Sequence, residues 1–222
     1  MACTAVGAAV PVLSPGRPNA RGGVRAPVPD AAEIAEVLVP EVLRLLGSSV
    51  RRVTRELVVP VTSERADVAA IGDATWLFEI KSGRDSLRRL HRQADAFARV
   101  AERCVLVAAS RHLPAADAAL PPWWGMIEVL DGPTVTLRWR RAAGPNPATD
   151  RRTLLLMLRR DEAEALLTSL VGGCLAGRRR MSLLAELDGR LDDEAIALCV
   201  RHALLHRAQQ PGRSAADLFI EV

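Results

Sequence analysis

The sequence predicts an α/β fold, in which a mixed β-sheet is flanked by helices and followed by a small all-helical C-terminal domain. Three observations predict it. Apolar residues recur at helical spacing after Asp30, and three β-rich apolar runs then precede a second amphipathic helix. Cys104–Ala109 is apolar throughout, which is typical of a strand buried on both faces. From Asp150 to about Arg207 the period of the chain is helical throughout.

The composition is that of a folded protein. Of the 222 residues, 49% are hydrophobic and 25% are charged. The net charge of +4 is compatible with a polyanionic partner but does not require one. There is no run of eighteen apolar residues, so we expect no membrane span. Four scattered cysteines without C-x-x-C spacing predict reduced thiols and a cytoplasmic protein; these are Cys3, Cys104, Cys174 and Cys199.

Composition also suggests the domain boundaries. Residues 1–29 are rich in Pro, Gly, Ala and Arg without periodicity, which predicts a disordered tail. The α/β domain is expected at 30–147 and the helical domain at 148–210, with a second tail at 211–222. The boundary falls in Arg141–Asp150, which has the composition of a linker.

The first elements follow from local signals. Asp30 is a predicted N-cap of a helix that reaches Gly47, and Pro40 predicts either a kink or two short helices. The next predictions are strands, with Gly72-Asp73-Ala74 as the loop of a hairpin; the strands are Val53–Val61, Ala66–Ile71 and Thr75–Ile80.

The later elements are read in the same way. Asp85 is expected to cap a helix from Ser86 to about Arg103. A second hairpin is predicted around Asp131-Gly132-Pro133, between strands Met126–Leu130 and Val135–Arg140. Breaks between the C-terminal helices are expected at two positions, namely Gly172-Gly173 and Gly189.

Lys81 is the only lysine in a chain that otherwise uses arginine for positive charge. Glu79 lies two residues before it, so both side chains share one face of the predicted strand. With a three-residue hairpin loop, Asp67 falls opposite Glu79, with the two Cβ atoms about 5 Å apart. Two such carboxylates repel each other unless positive charge lies between them. Lys81 alone supplies part of it, as in an ordinary cross-strand ion cluster on a solvated face, whereas Mg²⁺ (or Mn²⁺), which prefers oxygen ligands, supplies it better. The compact ammonium of Lys81 is suited to orient a metal-bound water, which the arginine fork is not.

The pattern D-x(11)-E-x-K on a hairpin between two helices resembles the PD-(D/E)XK nuclease superfamily, which has the restriction-endonuclease-like fold. More narrowly, RADVAAIGDATWLFEIKSGRDSLRRLHRQADAFARV is similar to an uncharacterised bacterial family that reads R-x-D, then Y-E-I-K-S, then D-T-L-x-R-L-x-x-Q-x-x-x-Y. The resemblance implies that Asp67 and Glu79 hold the metal, with the backbone carbonyl of Ile80 as a third ligand. It implies that Lys81 assists the attacking water.

Further residues carry the same resemblance. Gln93 falls where RecB-type nucleases have Gln-x-x-x-Tyr, and Phe97 replaces the tyrosine, so only a packing role remains there. Members of the superfamily often add a helical glutamate to the metal site. Glu33 is the first choice, and the rivals are Glu36, Glu41 and the family-typical Glu56. Gly83 departs from the Asp or Arg usual after Lys-Ser, which we interpret as loop variation.

Arginines supply candidate contacts to nucleic acid. Arg88, Arg92, Arg99 and Arg103 share one stripe of the second predicted helix, and Arg65 lies close to Asp67 in the sequence. The stripe is suited to phosphates. It is equally suited to a salt-bridged solvent face in which Asp95 pairs with Arg92 or Arg99. For Arg178-Arg179-Arg180 a solvated loop is favoured over DNA contact.

Three other patterns favour ordinary roles. His202 and His206 could share zinc on one helix face, but they lack the glutamate of H-E-x-x-H and a third ligand, so surface histidines are favoured. Trp123-Trp124 could stack on bases, but packing at the sheet edge is favoured. Ser110, Arg111 and His112 lack the context of a hydrolytic triad.

The sequence therefore predicts a cytoplasmic, Mg²⁺-dependent nuclease that hydrolyses DNA phosphodiester bonds by a metal-activated water. The alternative is a catalytically inactive nuclease-fold module that binds DNA or protein, in DNA repair or defence. A homodimer or a protein partner would then dock on the helical C-terminal domain.

Overall fold

The computed structural model describes residues 28–147, 149–173 and 175–207, and the backbone of 218–219. Cys3, Cys174 and most of the two predicted tails lie outside these residues. The described helices are α1 (Ala31–Leu46), α2 (Leu90–Ala98), α3 (Leu113–Ala119), α4 (Arg151–Met157), α5 (Arg160–Val171), α6 (Arg180–Arg190) and α7 (Asp193–His206). The strands are β1 (Val50–Val58), β2 (Arg65–Gly72), β3 (Thr75–Lys81), β4 (Arg103–Ala109), β5 (Gly125–Leu130), β6 (Thr136–Arg141) and β7 (Leu218–Phe219).

The strands form one mixed sheet in the order β6-β5-β4-β3-β2-β1-β7. The first three strands are antiparallel, β4 is parallel to both β3 and β5, and β6 returns antiparallel to β5. Helices cover both faces, which confirms the predicted α/β fold with C-terminal helices. None of the helices in the described part of the chain is both long and apolar enough to span a membrane.

The two faces of the sheet carry separate cores. On one face, α1 packs against Phe78 and Ile80 of β3 and Val105 and Val107 of β4. The opposite face carries Leu77 and Leu106 and is covered by α2, α3 and the C-terminal helices. Since neighbouring strand residues point to opposite faces, Glu79 and Lys81 share the face of Leu77. This assignment decides which helices can contribute to their surroundings.

Helix α1 begins as the sequence predicts. Asp30 accepts a hydrogen bond from the Glu33 N–H (2.9 Å), and the Glu33 carboxylate accepts one from the Asp30 N–H (2.8 Å), which forms a capping box. The helix continues through Pro40, so the prediction of two short helices is wrong. Buried residues lie on both sides of the proline, and their packing on the sheet holds the helix together; they are Ile34, Ala35, Leu38, Val39 and Val42.

The predicted bounds of the second helix are wrong at both ends. The Asp85 carboxylate accepts from the Ser82 N–H (2.8 Å) and closes a turn, so it is not a helix cap, and α2 begins only at Leu90. At the other end, Arg103 already pairs with Trp76 in the parallel ladder. The predicted break at Gly172 is confirmed, whereas α6 runs one residue past Gly189.

The C-terminal helices share one hydrophobic cluster with the sheet, since Leu154, Leu187 and Val200 belong to the same core as Leu77 and Leu106. This core is continuous across residue 148. The division into two domains at that point stays a prediction. Polar contacts reinforce the junction. The Arg201 guanidinium pairs with Glu102.

Arg52 of β1 is buried and completes the end of α7. Its Nη1 donates to the carbonyl oxygens of Leu204 (2.7 Å) and Arg207 (2.8 Å), two of the last carbonyls of a helix that have no partner within it. The guanidinium is therefore a side-chain cap that joins the helix to the sheet.

Replacing Arg52 with methionine should lower the free energy of unfolding by about 2 kcal/mol, because buried carbonyl groups lose their donors. Urea titration measures this. The control is Arg51→Met, one residue earlier on the exposed face, which should stay within about 0.5 kcal/mol of wild type. Equal losses in both variants would contradict the capping role.

Candidate active site at the end of the β2–β3 pairing

The site lies where strands β2 and β3 stop pairing. Their register includes Ile71 opposite Thr75 and ends at Val68 opposite Phe78, which confirms the three-residue hairpin loop. In this register the next two positions bring Asp67 opposite Glu79 and Ala66 opposite Ile80. The ladder does not continue there. Instead the Asp67 Oδ2 atom accepts a hydrogen bond from the Ile80 N–H (2.6 Å) in place of a β2 carbonyl.

The hydrogen bond between the Ile80 N–H and Asp67 also shows where the carbonyl group of Ile80 points. The N–H and C=O of one strand residue point to the same side of the strand. Since the Ile80 N–H points to Asp67, its carbonyl faces β2 as well, toward the place where the pairing ends. Its predicted role as a metal ligand stays a prediction.

Glu79 is the centre of a buried polar cluster, with only 3% of its side chain exposed. Its Oε1 atom accepts from the Lys81 ammonium and from Gln93 Nε2 (2.6 Å) of α2. Among the residues that the structure describes, no donor reaches Glu79 Oε2, and Gln93 Oε1 also lacks a partner. The cluster therefore has two free acceptor atoms in a place closed to solvent, which is costly unless a cation or a proton satisfies them.

Burial raises the pKa of Glu79 to about 7, with the Asp67 carboxylate adding to the rise and Lys81 opposing it. Burial also raises the pKa of Asp67, although the Ile80 N–H and Lys81 lower it and Glu56 adds to the rise. Asp67 therefore lies close enough to disfavour the charged form of Glu79. Such a pair gains stability from a nearby cation.

Glu56 of β1 lies opposite Asp67, between the pairs Arg55–Val68 and Leu57–Ala66. Its φ of 59° is in the left-handed region, which is uncommon for a residue with a side chain and is found at functional sites. Its carboxylate pairs with Arg65 (2.7 Å) at the surface. Of the upstream glutamates, Glu56 is the one that the structure brings to Asp67.

The glutamates of α1 do not join the cluster. Glu33 caps its own helix through Asp30, and α1 packs on the face of the sheet opposite Glu79. Glu41 pairs with Arg44 (2.6 Å), and Glu36 is exposed on the same helix. The helix that the resemblance suggested as the source of a third acid is therefore on the wrong face to supply it.

The predicted arginine stripe is not continuous. Arg88 precedes α2, Arg99 follows its last residue, and Arg103 belongs to β4, where its guanidinium lies over the Trp76 ring (5.8 Å). Arg92 pairs with the buried Glu64 (2.5 Å), which the sequence did not single out. The alternative pairing is also wrong, because Asp95 contacts His91 (3.2 Å).

The tryptophans and the C-terminal histidines have packing or surface roles. Trp124 is fully buried and stacks on Phe97 (6.3 Å between ring centroids), so packing rather than base stacking is correct for Trp124. His202 and His206 are exposed, with their rings stacked (4.1 Å) and no third ligand among the described residues.

His112 has a role that sequence reasoning missed. It is buried, and its Nε2 lies 3.1 Å from the carbonyl oxygen of Ser82, the residue directly after Lys81. This contact helps to fix the backbone at the end of β3. No sequence signal could reveal a contact between residues thirty positions apart.

The donors present fit a hard divalent cation. Asp67 and Glu79 supply two carboxylates, and the Ile80 carbonyl points toward β2, the strand that carries Asp67. Mg²⁺ commonly takes one or two protein carboxylates and fills its shell with waters and phosphate oxygens. Across the described ranges, no group of three or more His, Cys, Asp or Glu side chains could hold a metal. A bound ion would therefore depend on water and substrate for most of its ligands.

Comparison with known proteins gives one family and one solved structure. The family model described as bacteriophage P4 protein cII matches residues 32–214. No curated protein matches the sequence. The solved structure is the SPO1766 protein of unknown function from Silicibacter pomeroyi, which is 22% identical, with 62% of this chain and 91% of that chain covered and a TM-score of 0.37.

The raised pKa of Glu79 predicts a pH dependence of stability in the metal-free protein. In the unfolded chain this carboxyl loses its proton near pH 4.5, but in the folded chain it keeps the proton to about pH 7. Folding thus binds a proton between these values, and the free energy of unfolding falls as the pH rises through them, by on the order of 3 kcal/mol, and then levels off. Urea titrations in chelator should show this fall for wild type and a smaller one for Glu79→Gln, which cannot take up the proton. If the free energy of unfolding of the two proteins depended on pH in the same way, the raised pKa of Glu79 would be contradicted.

The left-handed backbone at residue 56 predicts an inverted response to glycine. Both Glu56→Ala and Glu56→Gly lose the Arg65 pair, but only alanine keeps a Cβ that disfavours this conformation. The glycine variant should therefore be more stable by about 1 kcal/mol. Urea titration of the two variants checks this. A more stable alanine variant, as expected in an ordinary strand, would show that the conformation is not kept.

Proposed function

The chain belongs to the family described as bacteriophage P4 protein cII, and for this member we propose a Mg²⁺-dependent phosphodiesterase that acts on DNA. In the proposal the domain is a nuclease of the PD-(D/E)XK type. The free thiols of Cys104 and Cys199 suit a reducing compartment, which supports placing the activity in the cytoplasm.

One observation carries the proposal: a buried carboxylate oxygen of Glu79 has no hydrogen-bond donor among the described residues, and the neighbouring Asp67 carboxylate raises the pKa of Glu79 further. A purely structural ion cluster would pair its acceptors, because unsatisfied buried acceptors lower stability. A cation between Asp67 and Glu79 would satisfy Oε2 and remove the repulsion. Mg²⁺, when bound, polarises a phosphodiester and lowers the pKa of a bound water.

The protein groups have separate proposed roles. Asp67 and Glu79 bind the ion, and the Ile80 carbonyl is a third ligand. Lys81 donates to Glu79 and has two further N–H donors with which to orient the attacking water and offset charge on the phosphate. Gln93 positions Glu79 through its 2.6 Å hydrogen bond. Glu56, next to Asp67, is proposed in place of Glu33 as the additional acid.

A second function is a nuclease-fold module that binds DNA or protein without cutting. It is favoured by the direct pairing of Lys81 with Glu79, which neutralises the charge of this acid without a metal. It is also favoured by the lack of a three-ligand cluster in the described residues. This module would act in DNA repair or defence, with a partner or a second copy on the C-terminal helices.

The test is a cleavage assay on plasmid and linear DNA with Mg²⁺ or Mn²⁺. Wild type should cut, and Lys81→Ala and Glu79→Gln should each lower the rate by about 100-fold or more, because the first loses the group that orients the water and offsets phosphate charge and the second loses a metal ligand. The matched control is Arg44→Ala, which removes a surface cation on α1, the helix on the opposite face, and should cut like wild type.

The outcomes separate the two functions. Metal-dependent cutting that is lost in both site variants and kept in the control supports the phosphodiesterase. Equal DNA binding by wild type and Lys81→Ala, with no cutting under any condition, supports the binding module. Equal cutting by all variants would overturn the assignment of the site.

A further inference from the structure

A row of residues crosses the sheet from the candidate site to its far edge. Lys81 of β3 pairs with Ala108 of β4, Ala108 pairs with Glu128 of β5, and Glu128 pairs with Arg138 of β6. Neighbouring strands are 4.7–4.9 Å apart, so the Cα atoms of Lys81 and Arg138 are separated by about 14 Å.

Members of this row share the face of the candidate site. Paired residues on neighbouring strands point to the same side of a sheet. The other side of this region is identified by Trp139 and Leu137, which pack on the core beneath α1. Arg138 and Arg140 alternate with them and therefore point to the side of Lys81 and Glu79.

The edge of this face carries an Arg–Glu–Arg cluster. The buried Glu128 accepts from Arg138 (2.7 Å) and Arg140 (2.8 Å), whose side chains are 52% and 44% exposed. Burial alone would raise the pKa of Glu128, but the hydrogen bonds of the two arginines outweigh it, and the pKa lies below its ordinary value. The carboxylate is thus charged, and the cluster keeps one net positive charge.

We propose that Arg138 and Arg140 bind the phosphate backbone of the DNA that the candidate site acts on. The inference rests on DNA as the substrate, but it does not require cleavage. About 14 Å of B-form helix axis spans roughly four nucleotide steps of one strand, at 3.4 Å each, so the two arginines lie within the reach of a short stretch of DNA held at the site. Lys81 and Ala108 are buried, so the DNA does not lie along the row but contacts its half-exposed end, Arg138 and Arg140.

The arrangement exceeds what Glu128 needs for itself. One guanidinium can neutralise a buried carboxylate, and Arg138 already donates two hydrogen bonds to Glu128 Oε2, from Nε (3.0 Å) and Nη2 (2.7 Å). The second arginine adds a charge that Glu128 does not balance. Each guanidinium has five N–H donors, and the half-exposed groups keep donors that can bind phosphate oxygens. Glu128 holds both in place, which limits the entropy lost on binding.

The chain supplies a matched control in its C-terminal helices. Glu186 binds Arg178 (2.6 Å) and Arg190 (2.9 Å), an Arg–Glu–Arg cluster of the same composition. The triple variants Glu128→Gln/Arg138→Gln/Arg140→Gln and Glu186→Gln/Arg178→Gln/Arg190→Gln each remove two positive charges and one negative charge. They therefore change the net charge equally and leave no carboxylate unpaired.

The experiment measures the affinity of the metal-free protein for a short random-sequence duplex over a range of salt concentrations. The slope of log K against log salt concentration should fall in magnitude by about 2 for the edge variant, since each phosphate contact contributes about 0.9. The helical control should keep the wild-type slope. Single variants guard against misfolding, because Arg140→Gln and Arg190→Gln each leave the glutamate one arginine. The first should lose about 1 from the slope and the second should lose nothing.

Equal slopes for the edge and control variants, or a wild type that does not bind the duplex, would overturn the inference. Salt-dependent binding that only the edge variants weaken supports it, whether or not the protein cuts DNA. If the wild type binds in this way and never cuts, the phosphodiesterase proposal fails and the binding surface stands.

Discussion

The burial of the Glu79 carboxylate is the constraint on which the rest of the site depends. A charged group in this position needs hydrogen-bond donors or a cation, since water cannot reach it. Lys81 and Gln93 satisfy one of its oxygen atoms. The other remains without a donor among the described residues, and Asp67 lies close enough to raise the pKa of Glu79. Unless the acid takes up a proton or a cation, the cluster is under electrostatic strain, and this property distinguishes it from the balanced ion pairs on the surface.

The fold creates this situation through the end of one strand pairing. A continuous ladder would join Ala66 to Ile80 and leave no room between the strands. The Asp67 side chain takes the Ile80 N–H instead, so a carboxylate replaces a backbone carbonyl as acceptor. Acid and backbone groups from two strands thereby meet at one point. Glu56 of β1, which lies opposite Asp67, has a left-handed backbone, so the irregularity extends to a third strand.

The C-terminal helices are part of the same physical system. They pack on the sheet face that carries Glu79, and they close that face to solvent together with α2. The buried Arg52 ties the end of α7 to β1, and Arg201 of the same helix pairs with Glu102 next to β4. Through these contacts the helices help to keep the dielectric around the cluster low, which makes every charge–charge interaction there stronger.

The sequence alone determined the order of helices and strands as far as β4, the three-residue hairpin, the shared face of Glu79 and Lys81, and the register that aligns Asp67 with Glu79, but it did not predict α3. All of these follow from local periodicity and turn residues, which act over a few positions. Only the tertiary structure decided which face each helix covers, and so Glu33 is excluded and Glu56 is brought near. It also decided that Arg103 joins a strand and not a helix. These outcomes depend on contacts between residues that are distant in the chain, and no local pattern records the competition between such contacts for the same residue.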